Sequence, residues 1–131
     1  MKSLLIIIAF TLCSAIGAAM RLGMTNLAKM IWGQAFYGTL IVNLIGAACI
    51  GVFYVAFNQV WQEIDQNWRY VLIAGLLGSL TTFSGFVLEI VTMMLQKQWS
   101  LAIIYATASV FLCVLATFLA IKLSYWIGSL H

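Results

Sequence analysis

Four apolar runs, at about 4–20, 38–58, 70–95 and 100–121, make up most of this chain. Each is close to the roughly 20 residues that an α-helix needs to cross a bilayer. The last run can continue to Ile127, so the spans read as 4–20, 38–58, 70–95 and 100–127 of one membrane domain, residues 1–131. A soluble domain of 131 residues cannot hide a chain that is 65% hydrophobic with only 7% charged residues to cover it. In hydrocarbon every backbone N–H and C=O needs a partner from the chain itself, which a helix supplies within one segment. The expected fold class is therefore an all-α membrane protein with four transmembrane helices.

The N-terminal MKSLLIIIAFTLCSAIGAAM has the outline of a signal peptide: a lysine, an apolar core, then small residues. The rest of the chain is equally apolar, and the segment reads better as a retained span. Between the spans lie RLGMTNLAKMIWGQAFY, NQVWQEIDQNWR and QKQWS. The first of these has hydrophobic spacing suited to an amphipathic stretch lying at the interface. Trp32, Trp61, Trp68, Trp99 and Trp126 fall near segment ends, as an aromatic belt requires. Cys13, Cys49 and Cys113 sit at unrelated spacings and read as small buried residues rather than as a metal or redox motif.

Four spans put both termini on one side. Lys2, Arg69 and Lys122 then lie on that side, and Arg21, Lys29 and Lys97 on the other. Short-loop Lys/Arg bias sets orientation, and here it is balanced. Either one weak local bias decides, or the chain inserts both ways. The second reading allows an antiparallel two-fold dimer. Ala15 with Ala19, Ala47 with Gly51, and Gly75 with Ser79 are small-xxx-small pairs that favour close helix packing.

The third run contains GLLGSLTTFSGFVLE, residues 75–89. Unbroken from Tyr70 to Leu95, it would be about 39 Å long, against a hydrocarbon core of about 30 Å. Tilt absorbs such an excess; so does a break. Gly75, Gly78 and Gly85 weaken helix, and Ser79, Thr81, Thr82 and Ser84 can bond freed backbone groups. Carbonyls unwound at membrane depth can hold a small cation. A Gly/Ser-rich packing face on an intact helix fits the same letters, and pattern alone leaves the two readings level.

Phe83 and Phe86 are three residues apart and share a helical face. They serve as packing residues, or their electropositive ring edges face an anion. Asn43, inside the second span, makes an interhelical hydrogen bond or offers N–H to a passing anion. Tyr105, Ser109, Cys113 and Thr117 form a polar stripe on the fourth span. Glu89 is the one carboxylate within a span, which makes it a functional candidate. Arg21, just past the first span, either pairs with it or draws anions into a vestibule. No His/Cys cluster, nucleotide loop or catalytic triad is present, and no enzyme activity is expected.

These residues carry a family likeness. The chain resembles the Fluc (CrcB) fluoride channels along nearly its whole length. The likeness lies in GAAMRLGM around Arg21, GTLIVNLIGAACIG in the second span and GLLGSLTTFSGFVLE in the third. The resemblance implies an antiparallel, dual-topology homodimer in a bacterial inner membrane, with a broken third helix and two pores. It implies a passive, fluoride-selective channel that exports cytoplasmic fluoride. Asn43, Phe83 and Phe86 would line the fluoride pathway, with Tyr105, Ser109, Thr39, Thr82 and Glu89 as further lining and Arg21 at the vestibule. Backbone carbonyls of Gly78 and Thr81 would hold one structural sodium ion across the dimer axis. Two positions depart from the family pattern. Gly85 stands where threonine is frequent, and Cys113 where the stripe often carries serine or threonine.

The main rival is a small dual-topology multidrug or cation exporter. Its proton coupling needs a carboxylate in the first span, and LLIIIAFTLCSAIGAAM has none. A structural or assembly protein would have no use for TTFSGF, Asn43 and a polar stripe together. A cation channel, suggested by a carbonyl cage, would need the cage to open.

Overall fold

The computed structural model describes residues 2–129. Its helices are α1 (Lys2–Trp32), α2 (Phe36–Val55), α3 (Gln66–Tyr70), α4 (Gly78–Leu80), α5 (Phe83–Leu95) and α6 (Trp99–Gly128). A π-helical stretch, Ala56–Val60, extends α2, and another, Val71–Leu77, joins α3 to α4. Four continuous stretches are long and apolar enough to cross a membrane: Ser3–Trp32, Phe36–Val60, Gln66–Leu95 and Trp99–Gly128. The protein is a multi-pass membrane protein.

The first span differs from its sequence reading. Residues 21–32 continue α1 instead of forming a separate interfacial stretch. This segment has no proline, and Gly23 alone is too weak a breaker to stop a helix already under way. At 31 residues α1 is about 46 Å long, longer than the roughly 30 Å of a hydrocarbon core. It ends at Gly33, whose φ of 72° suits a residue without a Cβ.

Glycines set the spacing between helices. A Cβ on Gly17 of α1 would strike the Leu76 carbonyl. One on Gly51 of α2 would lie 2.7 Å from the Thr117 carbonyl oxygen of α6. The α2–α6 contact is the most extensive in the fold, and Thr117 Oγ1 reinforces it by donating to the Ala47 carbonyl at 2.8 Å. Of the sequence pairs, Gly51 and Gly75 thus lie at close approaches, Gly75 against Phe10 and Cys13 of α1.

The buried core is in two parts. Val42, Leu77 and Leu80 pack together, flanked by Met24, Cys49 and Phe53. Phe36, Phe86, Met93, Ala102 and Tyr105 form the other part. The third span contributes Leu77 and Leu80 to one and Phe86 and Met93 to the other, and its backbone leaves the helical path between them. At the loop side, the Arg69 guanidinium donates to the Gln62 carbonyl at 2.9 Å and the Ile64 carbonyl at 3.2 Å. It also lies 5.4 Å from the Phe57 ring, which ties the turn after α2 to α3. The three cysteines are free and half-buried.

Candidate functional site

Helix α4 ends at Leu80 and α5 starts at Phe83. Thr81 has φ −81°, ψ 158°, and Thr82 has φ −148°, ψ 119°, both extended. A two-residue gap at membrane depth frees backbone groups, and each needs a partner.

Asn43 and Thr82 meet this need. The Thr82 N–H donates to Asn43 Oδ1 at 2.8 Å, and Asn43 Nδ2 donates to the Thr82 carbonyl at 3.2 Å. The side-chain amide therefore acts as a second strand for one residue of α2's neighbour. Thr82 Oγ1 accepts from the Gly85 N–H at 3.1 Å, an N-cap for α5. Thr81 turns back, its N–H and its Oγ1 both donating to the Leu77 carbonyl at 2.9 Å.

Two carbonyls lose their helical donors by this arrangement. In an unbroken helix the Thr82 N–H would serve Gly78 and the Gly85 N–H would serve Thr81. Here those donors go to Asn43 and to Thr82 Oγ1. Gly78 and Thr81 both line an open hollow of about 550 Å³ beside the gap. Two hard carbonyl oxygens on one short segment are a donor set that fits an alkali cation.

The hollow is mainly apolar. Asn43, Thr82, Phe83, Phe86, Ser109 and Cys113 share its lining with aliphatic side chains. Ser109 is 4% exposed and its Oγ has no hydrogen-bond partner among the described residues. Phe83 is 76% exposed in the single chain whereas Phe86 is 7% exposed, with ring centroids 5.9 Å apart. Their shared face thus has one buried ring and one open to whatever covers the hollow.

A second polar cluster lies on the other side of Phe86. Thr39 Oγ1 donates to Glu89 Oε1 at 2.7 Å, and Tyr105 Oη donates to Glu89 Oε2 at 2.7 Å. Both lengths are those of well-formed O–H···O bonds. The Phe86 ring meets Tyr105 edge to face at 5.3 Å, and so joins the two clusters. Glu89 takes hydroxyls as its partners and not Arg21, which is half-buried on α1 and absent from the hollow's lining.

The structure therefore brings Asn43, Thr82, Gly78, Thr81, Phe83, Phe86 and Ser109 around one hollow and Thr39, Glu89 and Tyr105 around one carboxylate. The sequence reading did not single out Gly46. A Cβ there would run into the Thr81 methyl, so only glycine lets the gap lie against α2. Its signal was spacing: Gly46 is three residues beyond Asn43, on the same helical face.

Four apolar spans, an interruption latched by a side-chain amide and a carboxyl group held within a span define a small multi-pass membrane protein with a polar site inside its helices. The chain belongs to the CrcB family: the profile described as CrcB-like protein, Camphor Resistance (CrcB), matches residues 8–121. It is 32% identical over 117 residues to a fluoride-specific ion channel FluC of Mannheimia succiniciproducens, covering 88% of this chain and 90% of that one. It is 43% identical over 103 residues to the channel of that name from Paracidovorax citrulli, covering 76% and 77%. The corresponding protein of Magnetococcus marinus is 41% identical over 108 residues, covering 82% and 87%.

Proposed function

We propose that this protein is a passive, fluoride-selective channel that lets cytoplasmic fluoride leave a bacterial cell across the inner membrane. The relatives' shared name supports the choice of ion. The observation that carries the reading at the level of residues is the hollow. There the buried Ser109 hydroxyl has no partner among the described residues, beside the paired rings of Phe83 and Phe86 and the amide of Asn43. Fluoride is strongly hydrated and crosses only where close donors replace its water. A free hydroxyl proton and electropositive ring edges replace water without a full positive charge that would trap the ion. Thr82 and the Thr39–Glu89–Tyr105 cluster lie along the same route, and Arg21 attracts anions to its mouth.

The working unit is an antiparallel homodimer of dual topology. The balanced 3:3 split of basic residues supports insertion both ways, and the hollow and the exposed Phe83 ring offer the face for the second copy. Each dimer holds two pores. The carbonyls of Gly78 and Thr81 from both chains converge on one structural sodium ion at the two-fold axis.

Export needs no energy source of its own. Hydrogen fluoride is a weak acid that enters as the neutral molecule and dissociates at the higher internal pH. The inside-negative potential then drives the anion out, at about 2.3 kcal/mol per charge per 100 mV. The test is growth of a bacterium lacking its own fluoride exporters on mildly acidic fluoride medium. The wild-type chain restores growth, and Phe83→Ile or Phe86→Ile does not although each reaches the membrane as a dimer. Failure of the wild-type chain, present in the membrane, to protect the cells contradicts the reading.

A further inference from the structure

We infer that Asn43 is a positioning residue for the cation site: it creates the free carbonyls of Gly78 and Thr81 by holding Thr82 out of the helix. This deepens the proposed function and rests on its sodium ion.

The argument is one of competition for a single proton. The Thr82 N–H has two acceptors within reach of its backbone, the Gly78 carbonyl of a continued helix and Asn43 Oδ1. It is bonded to Asn43 at 2.8 Å. The same peptide unit carries the Thr81 carbonyl on its other side, so fixing the N–H also fixes the direction of that oxygen. Asn43 Nδ2 holds the next peptide through the Thr82 carbonyl at 3.2 Å. With both its bonds, one amide side chain sets two consecutive peptide planes. It frees the Gly78 oxygen and aims the Thr81 oxygen. Gly46, one turn away, leaves the room for this by lacking a Cβ against Thr81.

Without the amide, the Thr82 N–H is unsatisfied at membrane depth and its nearest remedy is the Gly78 carbonyl. The helix then closes and a sodium ligand is withdrawn. Sodium and Asn43 thus act on the same backbone segment from opposite sides, and the fluoride hollow and the cation site share one latch.

The experiment measures dimer survival on size-exclusion chromatography across a sodium titration, with hydrogen exchange of the 78–86 segment read in parallel. The proteins are wild type, Asn43→Ala, Asn43→Asp and Phe86→Ile. Asn43→Ala is expected to raise the sodium midpoint by about tenfold or more, since each chain loses a buried bond worth about fivefold. Exchange at Thr82 should stay slow, because its N–H passes from Asn43 to the Gly78 carbonyl as the helix closes. Asn43→Asp keeps an acceptor for the Thr82 N–H but loses the donor to the Thr82 carbonyl, so its midpoint is expected to lie between those of wild type and Asn43→Ala. Phe86→Ile leaves the latch intact and its midpoint unmoved. An Asn43→Ala midpoint equal to wild type, or a loss of dimer that is the same at every sodium concentration, overturns the inference. A wild-type dimer insensitive to sodium overturns the sodium ion of the proposed function itself, and is recognised as such because no variant is involved.

Discussion

The two polar clusters lie on either side of Phe86 and are built in opposite ways. Around Asn43, side chains bond to backbone: the amide to both groups of Thr82, and the Thr82 hydroxyl to the Gly85 N–H. Around Glu89, side chains bond to side chains, with the Thr39 and Tyr105 hydroxyls both donating to one carboxylate. The first cluster shapes the chain and the second places a carboxyl group. Damage to the first should therefore appear as lost assembly, and damage to the second as altered ion passage in a protein that still assembles.

Gly46→Val is the harshest test of this contrast. Even a Cβ overlaps the Thr81 methyl, and that side chain is held by its hydroxyl's bond to the Leu77 carbonyl. The expected outcome is overpacking of several kcal/mol and loss of recoverable dimer, read by chromatography and thermal melting. A Gly46→Val protein that assembles normally would remove the gap from its role in the fold. Glu89→Gln sits next. It preserves shape but replaces one of the two oxygens that accept the hydroxyls with an NH2 group. Fluoride flux should fall by about tenfold or more in dimers recovered at near-normal yield, a loss on the order of the 1.5–3 kcal/mol assigned to a hydrogen bond to a charged group. If yield falls and flux per dimer does not, the division between the clusters is wrong.

Tyr105→Phe sharpens the comparison further, since it takes one donor from Glu89 and keeps the ring that meets Phe86. Its flux should lie between wild type and Glu89→Gln, with melting lowered by no more than about 2 kcal/mol equivalent. Thr117→Val is the smallest. It removes a bond to the Ala47 carbonyl outside both clusters, and should cost about 1 kcal/mol of stability with flux unchanged.

Much of the fold was legible because hydrocarbon permits few solutions. The four spans followed from run length and apolar content, and Trp32 and Trp99 do mark helix ends. Boundaries were less legible. Arg21 and Lys29 suggested a surface connection, yet helix propensity carries α1 through them to Trp32, because arginine and lysine are themselves good helix formers. At the site, residue identities were readable and their partners were not. Asn43 was plain as a polar residue needing a mate, but nothing in LIVNLIG says that the mate is the backbone of Thr82. Glu89 left open either an ion pair with Arg21 or a vestibule role for that arginine, and its partners are two hydroxyls that are adjacent only in three dimensions. Gly46 passed unremarked because a glycine in a membrane helix is common, and its meaning depends on which atom faces it.

The most direct measurement is anion efflux from liposomes holding the purified protein, followed first with a fluoride electrode and then with a chloride electrode. A potassium shunt is the only addition. Passive fluoride efflux with no chloride efflux is the result expected of a selective channel. No fluoride efflux from well-folded protein, or equal passage of chloride, contradicts the account.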